Sequence, residues 1–153
     1  TKEHKIHTEY GAIKSELEAR GISQPTIQDI AETVIAIRQS KLPNPAETGN
    51  AGSFFKNPVV PNTKFEALKH GHPEIPGYGN GETVKIPAGW LIEQCGWKGK
   101  QIGNVACHDK QALVIINKTG EATGKEIYDF STKIIDSVRE KFGVELEREV
   151  NIV

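Results

Sequence analysis

The chain has 153 residues, 37% of them hydrophobic and 25% charged, and a net charge of −1. That length allows one domain with a sizeable core, and the composition excludes a disordered chain, a membrane-spanning protein and a strongly basic nucleic-acid binder. Two cysteines, Cys95 and Cys107, have no ligand-spaced partners and read as reduced thiols of a cytoplasmic protein with no metal.

The chain begins at Thr1 and contains no methionine, so the expectation is a processed N-terminus or a piece of a longer protein. A short strand is expected near residues 5–10, with a turn of helix after it. Ile27, Ile30, Ala31, Val34, Ile35 and Ile37 then recur at helical spacing behind Thr26 as N-cap and Asp29 in the first turn. This helix is expected to end near Ser40, before Pro43. Lys41-Leu42-Pro43-Asn44-Pro45 leads into Gly49-Asn50-Ala51-Gly52-Ser53-Phe54-Phe55-Lys56-Asn57-Pro58, read as a glycine loop. Two glycines there allow close backbone approach to a ligand, while a hydroxyl, an amide and a cation suit an anionic substrate.

Val59-Val60 reads as a short extended piece and residues 63–70 as a short helix. Residues 71–81 form a Gly/Pro-rich segment without structure of its own, holding His72 and Tyr78 directly after His70, and the two histidines lack a third ligand for a metal. Residues 84–86 read as a strand. Pro87 and Gly96 bracket a short helix whose Trp90, Leu91, Ile92 and Cys95 supply a buried face, and Lys98-Gly99-Lys100 is a basic turn beyond it. Residues 112–117 make the strongest strand, apolar on both faces and so central in a sheet, with Gln111 at its mouth. Thr123 and Glu126 form a capping box. Ile127, Phe130, Ile134, Ile135, Val138 and Phe142 then mark one apolar stripe of a long core helix. Residues 144–153 alternate with period two, a strand carrying Glu145, Glu147, Glu149 and Asn151 on one face. The order of elements implies an α+β domain built on a small mixed sheet with packed helices.

These residues allow three chemical readings. Ser53, polarised by a neighbouring lysine or amide, suits proton donation to a carbanion. The terminal glutamates make a solvated face, but three like charges in a row favour a cationic partner or a polar cleft for at least one. A Ser-His-Asp hydrolase needs Gly-x-Ser-x-Gly, whereas Phe54 and Phe55 come after Ser53, and His108 and Asp109 are too close in sequence for one to orient the other.

The glycine stretch 49–58, Ala88-Gly-Trp-Leu-Ile-Glu-Gln-Cys95, Gln101-Ile-Gly103 and Leu146-Glu-Arg-Glu-Val150 together resemble the C-terminal half of the MurB-type UDP-N-acetylenolpyruvoylglucosamine reductases. The likeness runs from Tyr10-Gly11 through Ser40-Lys-Leu-Pro43 to the last strand. It implies reduction of an enolpyruvyl UDP-sugar to UDP-N-acetylmuramate in peptidoglycan synthesis, with bound FAD and NADPH. It implies Ser53 as proton donor and Glu149 as the carboxyl group acting beside the substrate carboxylate. By the same resemblance Tyr10, Lys41, Asn57 and Tyr78 hold the diphosphate, and Lys98 with Gln111 faces the uridine. Residues 1–42 would then end a flavin-binding region, 43–143 would be the substrate-binding domain, and 144–153 would return to the N-terminal region. Two departures stand out: Arg148 where many members carry proline, and Asn151 where some carry arginine. The flavin-binding portion and its arginine are not in the sequence, so the chain is expected to bind no flavin and to reduce nothing by itself. A stand-alone nucleotide-sugar binding module is the alternative.

Overall fold

The computed structural model describes residues 11–79 and 81–151. Tyr10 and the strand expected over residues 5–10 lie outside them. The chain divides into two compact units, Thr1–Pro43 and Asn44–Val153. Among the described residues no helix is long and apolar enough to cross a membrane.

The first unit holds α1 (Gly11–Ala19) and α2 (Ile27–Lys41), packed on each other. The start of α2 follows from Thr26, whose hydroxyl accepts from the Asp29 N–H while the Asp29 side chain accepts from the Thr26 N–H, a reciprocal cap that satisfies two orphan donors. Leu17 and Thr33 are buried in this unit. A cavity of about 220 Å³ lies along the helix pair, lined by Ala12, Ile13, Val34, Ile37, Arg38 and Lys41.

The second unit is α+β. Its strands are β1 (Asn50–Ser53), β2 (Val59–Pro61), β3 (Tyr78–Gly79), β4 (Thr83–Lys85), β5 (Gln101–Ile102), β6 (Val105–Cys107) and β7 (Val114–Asn117), and its helices are α3 (Asn62–Gly71), α4 (Ala88–Gln94) and α5 (Gly124–Phe142). In place of one mixed sheet there are two antiparallel ones, ordered β1-β7-β6-β5 and β2-β4-β3. The short links explain much of this: parallel pairing needs a long crossover, whereas β5 and β6 are joined by the two residues Gly103-Asn104. β7 has neighbours on both sides and buries Val114, Ile115 and Ile116, as its apolar run requires.

Packed on β6 and β7 of the four-stranded sheet and on α4, α5 buries Phe130, Ile134, Ile135, Val138 and Phe142, the stripe read from the sequence. Trp97 meets the Phe130 ring edge-on, with centroids 5.2 Å apart, and Leu91 and Ile92 of α4 are fully buried in the same core.

Two expectations change. Residues 71–81 are not structureless: Ile75 is 4% exposed, and Tyr78 and Gly79 pair with Lys85 and Val84. The glycines make this possible, because a Cβ on Gly77 would stand 2.5 Å from the Phe65 ring and 2.6 Å from Val84. Among the described residues the terminal stretch forms no continuous ladder, having one isolated bridge between Phe55 and Arg148; residues 152–153 lie outside them. Its alternation is real all the same, with Val144 and Leu146 in the core and Glu145, Glu147 and Glu149 exposed.

The cap of α5 predicts a pH effect. Glu126 is held below the usual glutamate range by the Thr123 backbone N–H and then by the Thr123 hydroxyl. A depressed folded-state pKa stabilises above the unfolded value, about 4.3, and that contribution fades as pH falls through the folded value. Glu126→Gln should therefore lower the melting temperature near neutral pH, and the gap to the parent should close below pH ~4. A gap of constant size would remove the carboxylate from the cap.

Candidate active site

The glycine stretch is a strand with one irregularity. Asn50 pairs with Ile116 and Ser53 with Val114, so β1 spends one residue more than β7 over the same span, a bulge that bends the strand and re-aims the residues beyond it. Gly52 lies inside it at φ 73°, a conformation other residues adopt at a cost. The Asn50 side chain fixes the bend, accepting from the Gly52 N–H at 3.0 Å and donating to the Thr48 carbonyl at 2.8 Å. Ser53 stands next, at the end of β1, with its side chain exposed.

Directly after Ser53 the backbone is held from two sides. The Phe54 N–H donates to the Leu113 carbonyl at 2.8 Å, and the Phe54 carbonyl accepts from the Glu149 N–H at 2.9 Å. The Lys56 N–H donates to the Glu147 carbonyl at 2.9 Å. Residues 147–149 thus run antiparallel to residues 54–56, and Glu149 stands opposite the neighbour of Ser53.

The three terminal glutamates separate by partner. Glu145 takes Arg139 in a two-point contact, Nε to Oε2 at 2.5 Å and Nη2 to Oε1 at 2.6 Å, and the guanidinium holds its carboxyl below the usual range. Glu147 pairs with Lys56. The Glu149 carboxylate has no hydrogen bond or ion pair among the described residues, so the expected cationic partners go to the other two.

Asn57 and Gln111 meet the first turn of α4. The Asn57 Oδ1 accepts from the Ala88 N–H at 2.8 Å, which leaves its Nδ2 as a donor. The Gln111 Oε1 lies 3.2 Å from where a Cβ on Gly89 would stand and 3.4 Å from the Leu113 nitrogen, with Leu113 also bonded to Phe54. Ser53, Asn57, Gln111 and Glu149 are therefore joined through Phe54, Leu113 and the start of α4.

The other expected residues lie elsewhere. Lys41 ends α2 in the first unit and is exposed. Lys98 stands past the C-terminal end of α4, paired with Glu93 at 3.0 Å, although a Cβ on the next residue, Gly99, would stand 3.7 Å from the Asp109 side chain, two residues before Gln111. Tyr78 is 69% exposed on the second sheet. There Val59, Lys85 and Tyr78 form a cross-strand row beside a cavity of about 300 Å³. Lys85 was not anticipated: only the pairing of β3 with β4 brings it opposite Tyr78.

Competing chemistries find no support in the geometry. The His108 Nε2 lies 3.5 Å from Asp109, but its Nδ1 accepts from the Lys110 N–H at 3.2 Å, and the backbones of Ser53 and His108 flank Val114. The His70 Nδ1 sits 2.7 Å from the Glu66 carbonyl, while the His72 ring packs on Phe142 at 4.7 Å. Among the described residues no group of three or more His, Cys, Asp or Glu could hold a metal. Both thiols are free; burial pushes Cys107 up to about 11 and also raises Cys95, so neither is a thiolate at neutral pH.

Comparison with known proteins identifies the family. Residues 44–153 match the family described as "UDP-N-acetylenolpyruvoylglucosamine reductase, C-terminal domain", the same stretch as the second compact unit. Relatives bearing the name UDP-N-acetylenolpyruvoylglucosamine reductase include one from Flavobacterium johnsoniae, 51% identical over 99% of this chain and 45% of its own length. One from Chromobacterium violaceum is 52% identical over 94% of this chain and 42% of its own. One from Pseudomonas aeruginosa is 45% identical over 99% and 45%. The chain spans less than half the length of these curated relatives. By its residues 44–153 it belongs to the family of UDP-N-acetylenolpyruvoylglucosamine reductase C-terminal domains.

Proposed function

We propose that this chain supplies the substrate-binding and proton-donating half of an FAD-dependent, NADPH-using reductase that converts UDP-N-acetylenolpyruvoylglucosamine to UDP-N-acetylmuramate. The observation that supports the reading is the backbone bond from the Glu149 N–H to the Phe54 carbonyl, which brings the Glu149 backbone opposite the residue that follows Ser53.

In this reading Ser53 gives its hydroxyl proton to the carbanion next to the substrate carboxylate and recovers one from solvent. Glu149 acts on the enol oxygens as a carboxyl group that carries its proton, since an ionised carboxylate would repel the charge that develops there. A fixed donor costs no reorganisation when that charge forms, and the strand ties on both sides of Phe54 supply that fixity. Asn57, with Oδ1 spent on Ala88, offers only its N–H groups, which suits a diphosphate oxygen. Tyr10, Lys41 and Tyr78 are assigned to the same diphosphate, with Lys98 and Gln111 assigned to the uridine.

The cavity along α1 and α2 is about 220 Å³, and one of about 630 Å³ between α5 and the terminal segment is lined by Asp136, Glu145 and Glu147 together with Arg139 and Arg148. In this reading no step is routed through a flavin on these residues. The purified 153-residue chain is expected to bind UDP-N-acetylmuramate in calorimetry, to show no flavin fluorescence, and to consume no NADPH. NADPH-dependent turnover by the chain alone would overturn its assignment as a half-site. Loss of UDP-sugar binding would overturn its assignment to the substrate.

A further inference from the structure

One charged side chain next to the site is held in a way the proposed chemistry does not use. Arg148 Nε donates to the Ser131 Oγ at 2.8 Å, its Nη2 donates to the Thr132 Oγ1 at 2.6 Å, and its Cζ lies 4.3 Å from the centroid of the Tyr128 ring. Ser131 is fully buried. Both hydroxyls also donate to the Tyr128 carbonyl, at 2.7 and 3.0 Å. A single turn of α5 thus offers the guanidinium a face and two oxygens, the planar recognition at which lysine is a poor substitute.

Arg148 lies between the two backbone bonds that tie the terminal segment to residues 54–56, one accepted by Glu147 and one donated by Glu149. Glu145 and Glu147 are fixed by their own cations. Glu149 has no such anchor among the described residues, so its location depends on the backbone that Arg148 pins. Arg148 itself has no carboxylate partner among the described residues. Its contacts are to neutral groups, which hold geometry without neutralising a nearby acid.

We propose that Arg148, clamped on the Tyr128–Ser131–Thr132 turn of α5, is a positioning residue that sets where Glu149 stands beside Ser53. The proposal rests on the functional reading given for Glu149.

The test has two parts. In the 153-residue chain, Arg148→Met should speed amide hydrogen exchange at Glu149 and Lys56 while leaving β7 protected; unchanged exchange there would overturn the clamp. In the complete flavin-dependent reductase that the reading assigns to this sequence, Arg148→Met should lower kcat about 10–100-fold, as a small misplacement does. KM for the UDP-sugar should stay within about twofold, since uniform binding is untouched. Arg148→Lys should recover only part of the loss, because an ammonium cannot both stack and bridge two hydroxyls. In a Glu149→Gln background, Arg148→Met should add nothing further, the non-additivity of groups acting as one unit. Equal losses in both backgrounds would overturn the positioning role and leave Arg148 as a packing residue. If Glu149→Gln alone left kcat unchanged, the reading of Glu149 would fall and this role with it; a Glu149→Gln defect without an Arg148→Met defect would refute only the present proposal. If Arg148→Met proves too unstable to assay, Thr132→Val removes one contact of the clamp and keeps the guanidinium.

Discussion

Ser53→Ala in the complete reductase is expected to lower kcat by about 10²–10⁴-fold, the range of a lost general acid and some 3–5 kcal/mol of barrier. Dissociation of the UDP-sugar should change by less than about threefold, because the proposed holding groups belong to other residues. The expectation comes from how the hydroxyl is presented. Ser53 ends β1 beyond the Gly52 bulge and pairs with Val114, and the next peptide is bonded on both sides, to Leu113 and to Glu149. Its hydroxyl makes no hydrogen bond among the described residues, so it keeps its proton for a substrate. Ser53→Cys, which retains a donor of different reach, should fall between parent and alanine. A kcat for Ser53→Ala within a factor of two of the parent would remove Ser53 as the donor.

The second large effect concerns stability. Phe55→Ala should cost about 3–5 kcal/mol, as removal of a core aromatic ring does, measured by urea unfolding of the 153-residue chain. Phe55 is 1% exposed, meets Phe54 edge-on with centroids 5.3 Å apart, and bridges to Arg148. Against a typical domain stability of about 5–15 kcal/mol, such a loss is a large part of the whole. Phe55→Leu, which keeps much of the volume, should cost clearly less. A loss below ~1 kcal/mol for alanine would mean that the ring does not fill the core as described.

What could be read in advance was what repeats. The stripe of α5, the capped start of α2 and the apolar run of β7 each extend over enough residues for a period to show. β3 and β5 have two residues each, too few for alternation to register, and Tyr78–Gly79 was hidden among glycines and prolines. The period-two pattern of the last stretch was legible as burial and misleading as a ladder, because side-chain packing of Val144 and Leu146 needs no continuous strand partner. At the site, Ser53 and Asn57 share one short motif, whereas the approach of Glu149 to Phe54 depends on contacts far apart in the chain. The division of the glutamates between Arg139, Lys56 and neither partner could not be read from their spacing. The turn that receives Arg148 is visible afterwards as Tyr128-x-x-Ser131-Thr132, positions i, i+3 and i+4 of one helix face.

The pairing of residues 147–149 with residues 54–56 spans most of the chain, and its own contacts do not suffice to hold it. Lys56 and Glu147 are 91 positions apart, and closing a flexible loop of that length costs about 4 kcal/mol in its logarithmic part. Two backbone hydrogen bonds at about 1 kcal/mol each and an exposed ion pair worth about 1 kcal/mol or less do not offset it. Burial of Val144 and Leu146 does, at roughly 1.5–3 kcal/mol per side chain. The pairing of residues 147–149 with residues 54–56 therefore depends on the hydrophobic interior to which Val144 and Leu146 belong.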